Sequence, residues 1–73
     1  MTDEVARITE ISARSSQSFE DAVKLGIQRA TKTLRGVRSA WVKEHSVQVD
    51  GTGAISSYQV NLLVTFVLDE NNG

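Results

Sequence analysis

The stretch that decides the fold is "RSAWVKEHSVQVDGTGAISSYQVNLLVTFVLD", residues 38–69. Both ends are rich in strand formers, and between them stands "DGTG", residues 50–53. An Asp-Gly pair between two such runs is a strong hairpin signal, because it readily adopts the positive φ angles of a tight turn. Residues 38–49 and 56–69 are therefore read as antiparallel strands, with Asp50 and Gly51 at turn positions that favour positive φ.

Working backwards, "SFEDAVKLGIQRATKTLRGV", residues 18–37, reads as a helix. Ser18 is a candidate N-cap, and Glu20 and Asp21 put negative charge in the first turn, where the helix dipole favours it. Phe19, Val23, Ile27, Ala30, Leu34 and Val37 recur at three- and four-residue steps and form one apolar stripe. The basic last turn and Gly36 are stop signals. Gly26 costs about 1 kcal/mol against Ala in mid-helix, which is either tolerated or marks close approach of another backbone. Before the helix, "VARITEIS", residues 5–12, reads as a short strand, and "ARSSQ" then turns the chain.

The order is β-α-β-β, an α+β fold. The helical crossover makes the first two strands parallel, and the hairpin makes the last two antiparallel. An all-antiparallel sheet then needs the last strand in the middle, giving the order 1-3-2. That strand is also the most apolar.

Alternation along the strands gives the sheet two faces. Tyr58, Val60, Leu62, Val64, Phe66 and Leu68 point one way with Ala40 and Val42, toward the helix stripe. Gln59, Asn61, Leu63, Thr65 and Val67 point the other way, and strict alternation adds Ser39, Trp41, Lys43, His45, Val47 and Val49. One helix cannot cover both faces, and a large apolar patch is rarely left open. The far face is expected to be covered by other copies of the chain or by a ligand.

Composition supports assembly. A chain of 73 residues makes one small domain, residues 1–73, which buries only about 60% of its unfolded surface. Disulfides, metals or oligomerisation usually assist at this size. The absence of Cys and a single His remove disulfides, thiolate metal sites and a multi-histidine zinc site, so oligomerisation remains. A net charge of -1 with dispersed Lys and Arg argues against a nucleic-acid partner. "MTDEVARITE" lacks a signal-peptide pattern, and "VNLLVTFVL" is too short to span a bilayer. The expectation is a soluble cytoplasmic protein without membrane contact, with "DENNG" as a frayed polar tail.

With these elements in place, the chain resembles the dodecins, small β-α-β-β proteins that assemble into hollow dodecamers and bind flavins. The resemblance rests on "SFEDAV" opening the helix, "RATKTLRGVR" closing it, "WVKE" in the second strand, and "YQV" with the F-x-L of "TFVLD" in the third, collinear over residues 5–69. It implies a sheet curled around its helix, a homo-oligomer, and pockets at subunit contacts. There, tryptophans of two symmetry-related chains stack on flavin rings and a glutamine bonds the ring edge. That glutamine corresponds to Gln59. Counted from "TLR", residues 33–35, the family's aromatic position is Ser39, with Trp41 two residues further on the same face. "ARS" stands where the family has "GTS", and Ser46 and Val67 stand where it has basic residues, which weakens phosphate anchoring for FMN or coenzyme A. Some relatives lacking the flavin tryptophan are linked to calcium.

The candidate flavin-binding residues (riboflavin or FMN) are Trp41, Gln59, Ser39, Lys43 and Glu44. Trp41 is either a stacking platform or a filler of a subunit interface. Gln59 either contacts flavin or hydrogen-bonds across the assembly. His45 reads as a surface or interface residue, and Lys43 and Glu44 as a pair bridging subunits. Glu10, Glu20, Asp21, Glu44 and His45 show no spacing that joins a nucleophile, a base and an orienting group. No enzyme is expected. "DGTG" offers hard oxygens but not the ligand set of a calcium loop. The functional expectation is flavin storage or sequestration, the alternative a shell without flavin in a structural or calcium-binding role.

Overall fold

The computed structural model describes residues 4–68; the polar tail, with Asp69 at the expected end of the third strand, lies outside them. The element order is β1 (Ala6–Ser15), α1 (Phe19–Thr33), β2 (Val37–Val49) and β3 (Ile55–Val67). β3 lies between β1 and β2 and is antiparallel to both, which is the expected β-α-β-β fold with order 1-3-2.

β1 is longer than its sequence suggests. Ala13, Arg14 and Ser15, expected to turn, pair with Val60, Gln59 and Tyr58. Pairing with a central strand outweighs the weak strand propensity of Ala-Arg-Ser. The strand ends at buried Ser15, whose Oγ donates to Asp21 Oδ2 at 2.6 Å and accepts from Gln17 N at 2.9 Å. Ser18 caps α1 as expected, its Oγ accepting from Asp21 N at 2.9 Å.

The helix is shorter than expected. Leu34 is already extended (φ -114, ψ 139), its N–H still bonded to Ala30 O. Gly36 then takes φ 72, and a Cβ there would lie 2.9 Å from Val67 O. Only glycine serves at this close, left-handed crossing. Leu34 and Val37 pack on the core from outside the helix.

The core lies between α1 and one face of the sheet. Ala22, Ala30, Val60, Leu62 and Val64 are buried, with Ile11, Phe19, Val23 and Ile27 packed around them. Gly26 is buried and held small by side chains rather than backbone: a Cβ would stand 2.9 Å from Leu62 Cδ1 and 3.2 Å from Ala13 Cβ.

The hairpin corrects the turn expectation. Positive φ falls at Gly53 (φ 89), not at Gly51 or Asp50. Gly53 N bonds Asp50 O at 3.1 Å and Asp50 N bonds Ala54 O at 2.9 Å, so the loop is Gly51–Gly53. This is a three-residue hairpin with glycine at the left-handed position. Asp50 holds it from outside: its Oδ1 accepts from Thr52 Oγ1 (2.7 Å), Thr52 N (2.8 Å) and Ala54 N (3.1 Å). The bond from the Thr52 hydroxyl, then those from the loop amides, hold the Asp50 carboxyl below its ordinary pKa. β2 and β3, of 13 residues each, outreach the 15-residue helix, since a strand rises about 3.3 Å per residue against 1.5 Å in a helix.

Candidate functional site

The far face of the sheet is built by pairing register, and two bulges in β2 decide which side chains reach it. The register shifts between Val37 and Ser39 and again between Val42 and Glu44. Each extra residue reverses the alternation that follows it. Ser39 therefore pairs with Thr65, Trp41 with Leu63, Glu44 with Asn61, and Ser46 with Gln59, all on the face away from α1.

His45 pairs with Val60 and Val47 with Tyr58, which turns both to the helix side. The Phe19 ring meets the His45 ring edge-on at 4.7 Å and Tyr58 at 5.1 Å. The expectation that His45 and Val47 share the face of Trp41 is thus overturned by the bulge at Lys43. Val49 pairs with Ile55 beyond a third register shift near the hairpin tip, so strict alternation fails for it too.

β1 completes the far face. Ile8 pairs with Thr65, Glu10 with Leu63, Ser12 with Asn61 and Arg14 with Gln59. The face is graded along the strands. One end holds Ile8, Leu63, Trp41 and Val67, and the indole is 47% exposed because no element of the chain lies over it. The other end is polar: Gln59 Oε1 accepts from Arg14 Nη2 at 2.8 Å and from Gln48 Nε2 at 3.4 Å. Gln59 Nε2 donates to Asn61 Oδ1 at 3.4 Å, and Asn61 Nδ2 donates to Glu44 Oε1 at 3.3 Å. Beside these residues an open groove of about 430 Å³ is lined by Glu44, His45, Ser46, Gln59 and Asn61.

Between the two ends Lys43 Nζ reaches across β3 to Glu10 Oε1 at 3.2 Å, both side chains about half exposed. Such an exposed pair contributes about 0–1 kcal/mol. Within the chain Lys43 thus pairs with Glu10, and Glu44 accepts from Asn61.

The residues 5–69 match the family model for dodecins. The chain belongs to the dodecin family. It is similar to the dodecin from Streptomyces davaonensis (33% identity, 94% of this chain and 100% of that one, TM-score 0.88). A Thermus thermophilus dodecin variant is 34% identical over 93% of this chain and 100% of its own, with TM-score 0.85. A third similar structure is the calcium dodecin of Mycobacterium tuberculosis, described as calcium chelating with a novel calcium-binding site (32% identity, 90% and 93% coverage, TM-score 0.78). No curated protein matches.

In this dodecin, Ser39, Trp41, Glu44 and Gln59 occupy one face. They form two groups, however. Gln59 and Glu44 meet through Asn61 at the groove. Trp41 stands opposite Leu63, four residues up β3 from Gln59, or about 13 Å at strand rise. A ring stacked on the indole reaches the Gln59 amide only by lying lengthwise along β3. Ser39 is exposed at the Trp41 end, and Lys43 sits between the groups as the bulge residue. Arg14 and Asn61 were not among the expected site residues. Arg14 sits in the "ARS" departure from the family pattern, and pairing β1 with β3 would have put it beside Gln59.

Among the described residues no helix is long and apolar enough to cross a membrane. Nor does any group of three or more His, Cys, Asp or Glu stand close enough to hold a metal ion.

Proposed function

We propose that the protein is a homo-oligomeric, non-catalytic flavin-binding dodecin that stores or sequesters riboflavin or FMN in the cytoplasm, with its pockets where the far faces of separate copies meet. The observation that carries this reading is the half-exposed Trp41 on an uncovered sheet face whose other end presents the Gln59 amide. An aromatic platform with a polar anchor along one line suits a flat ring that is apolar on its faces and polar at one edge. The residues that would hold the ring are Trp41 beneath it and Gln59 and Glu44 at its edge. Ser39, where the family carries its aromatic, leaves room beside the indole, and Lys43 would flank the ring from the bulge. Burial of the far face between copies gives the oligomer its apolar contact.

A second reading, a shell that binds an ion instead of flavin, is favoured by the likeness to the calcium dodecin and by Ser39 at the family's aromatic position. On that reading the carboxylates of Glu10 and Glu44 would come together from several copies.

The test is the absorbance spectrum of the purified protein with and without added riboflavin, beside its mass by light scattering. A large oligomer that binds riboflavin and quenches its fluorescence is expected. A stable monomer, or an oligomer that leaves riboflavin fluorescence unchanged, would refute the flavin reading; calcium-dependent mass or melting would then support the second.

A further inference from the structure

The ion pair between Lys43 and Glu10 joins the two edge strands, which do not pair with each other. With β3 between them, β1 and β2 stand about 10 Å apart, two strand spacings. Neither side chain spans that gap alone, so both lie down over β3 to meet at 3.2 Å. They meet on the far face: Glu10 pairs with Leu63, which points away from α1, whereas on the other face Leu62 is buried in the core under the helix. Lys43 is the bulge residue between Val42, opposite Leu62, and Glu44, opposite Asn61. The bridge therefore crosses β3 between the Trp41–Leu63 pair and Asn61. That is the line along which a ring stacked on the indole would extend.

We propose that the Lys43–Glu10 bridge is a gate on the open face: a ring takes the path from Trp41 along β3 only when the pair is parted. The inference rests on the flavin reading above and adds to it the two residues that set how much of the protein is competent to bind. A path open in only a fraction of the molecules lowers the apparent affinity by that fraction. Both side chains are about half exposed, so parting them returns two charges to water and strands neither. Opening an exposed pair of this kind costs about a two- to fivefold change in an equilibrium, and the cost falls as salt screens the charges. The gate is thus weak and sensitive to ionic strength. Once parted, Lys43 flanks the ring from the bulge, whereas Glu10 acts on the ligand only through Lys43 and is a positioning residue.

The experiment is a riboflavin fluorescence titration on the wild-type oligomer, on Glu10→Gln and Lys43→Met, and on the double variant, with size exclusion reporting the assembly of each. It is run at about 0.01 M and about 1 M sodium chloride, where the screening length falls from about 30 Å to about 3 Å, the separation of the pair itself. Riboflavin is uncharged near neutral pH, and the variants measure any direct effect of salt on stacking. Glu10→Gln is the decisive variant, because Lys43→Met also removes a neighbour of the ring. At low salt it should bind riboflavin about two- to fivefold more tightly than the wild type, and at high salt the gap should close. In the Lys43→Met background the same substitution should change nothing, because its partner is already gone. If Glu10→Gln binds like the wild type at low salt, or more weakly, the inference is overturned and the flavin reading stands. A gain that persists in the Lys43→Met background overturns it as well, because the Glu10 charge then acts on the ligand directly. Failure of the wild type and of every variant to bind riboflavin overturns both.

Discussion

Replacing Trp41 with alanine separates the two roles open to it, and the structure sets the size of the effect. The indole is 47% exposed within one chain. A large aromatic side chain buries about 150–250 Å² when covered, so whatever covers the open half removes roughly 70–120 Å² from water. At about 25 cal/mol per Å² that is worth ~2–3 kcal/mol, and stacking on a second π-system adds about 0.5–1.5 kcal/mol. If the cover is a flavin ring, Trp41→Ala weakens riboflavin binding by about a hundredfold and leaves the oligomer intact. If the cover is a neighbouring subunit, the same substitution opens a cavity costing about 3–5 kcal/mol, and the assembly loosens with or without flavin. Size exclusion and riboflavin titration on this variant, run side by side, distinguish the cases. Wild-type affinity is itself expected to be weak, because Ser39 stands at the family's aromatic position. A tight riboflavin complex that survives Trp41→Ala in an unchanged oligomer refutes both roles.

Other perturbations test the frame around the site. Leu63→Asp places a charge on the far face opposite Trp41; in a covered interface an unpaired charge is costly, so light scattering should show dispersal, and an unchanged mass would mean that this face is not buried between copies. Gly53→Val forces a side chain into φ 89, whereas Gly51 has open space around it and no positive φ. The first should lower the melting temperature and the second leave it nearly unchanged; the opposite order would refute the turn described here. Gly26→Val drives methyl groups toward Leu62 and Ala13. Overpacking of about 1–3 kcal/mol should exceed the few tenths gained in helix propensity, and a more stable variant would show that this contact yields freely. Asp50, with its lowered pKa, favours the folded loop above the ordinary carboxylate range and loses that contribution as the pH falls below about 4 toward the lowered value. The Thr52 amide resonance should report the loss, and Asp50→Asn, which keeps an acceptor but does not titrate, should remove the pH dependence.

The order of elements and the strand order 1-3-2 were legible because hydrophobic periodicity and the crossover rule act on whole segments. Ser18 was legible as a cap for the same kind of reason: its side-chain oxygen and the chain direction suffice. Single-residue irregularities were not. Nothing in "WVKEHSV" marks Lys43 as the residue that bulges, since the bulge is set by how β2 matches β3 and not by β2 alone. The misplacement of His45 and Val47 follows from that one residue. Asp-Gly signalled a turn but not its type: the side chain of Asp50 gathers three donors and draws the loop out by one residue, which moves the left-handed position to Gly53. Trp41, Gln59 and Ser39 were placed on a common face correctly, whereas Glu44, which strict alternation sends to the helix side, reaches that face only through the bulge at Lys43, and the separation into two groups needed the register.

The bulge at Lys43 also bears on which cover suits the far face. With strict alternation Lys43, His45 and Val47 would line up beside Trp41, and the polar and apolar residues would be mixed along β2. The extra residue instead brings Glu44 and Ser46 to this face beside Asn61 and Gln59. The result is a gradient, with Ile8, Leu63 and Trp41 at one end and a bonded series of amides between two charges at the other. A contact between subunits asks for complementary shape and buried apolar area, and it can use the free amide N–H of Gln59 only where a partner acceptor meets it. A flat ring with an apolar body and a hydrogen-bonding edge uses both ends at once when it lies along β3. The gradient thus suits the proposed ligand spanning the face, a reading in which the indole would meet the body of the ring and Gln59 with Glu44 its edge.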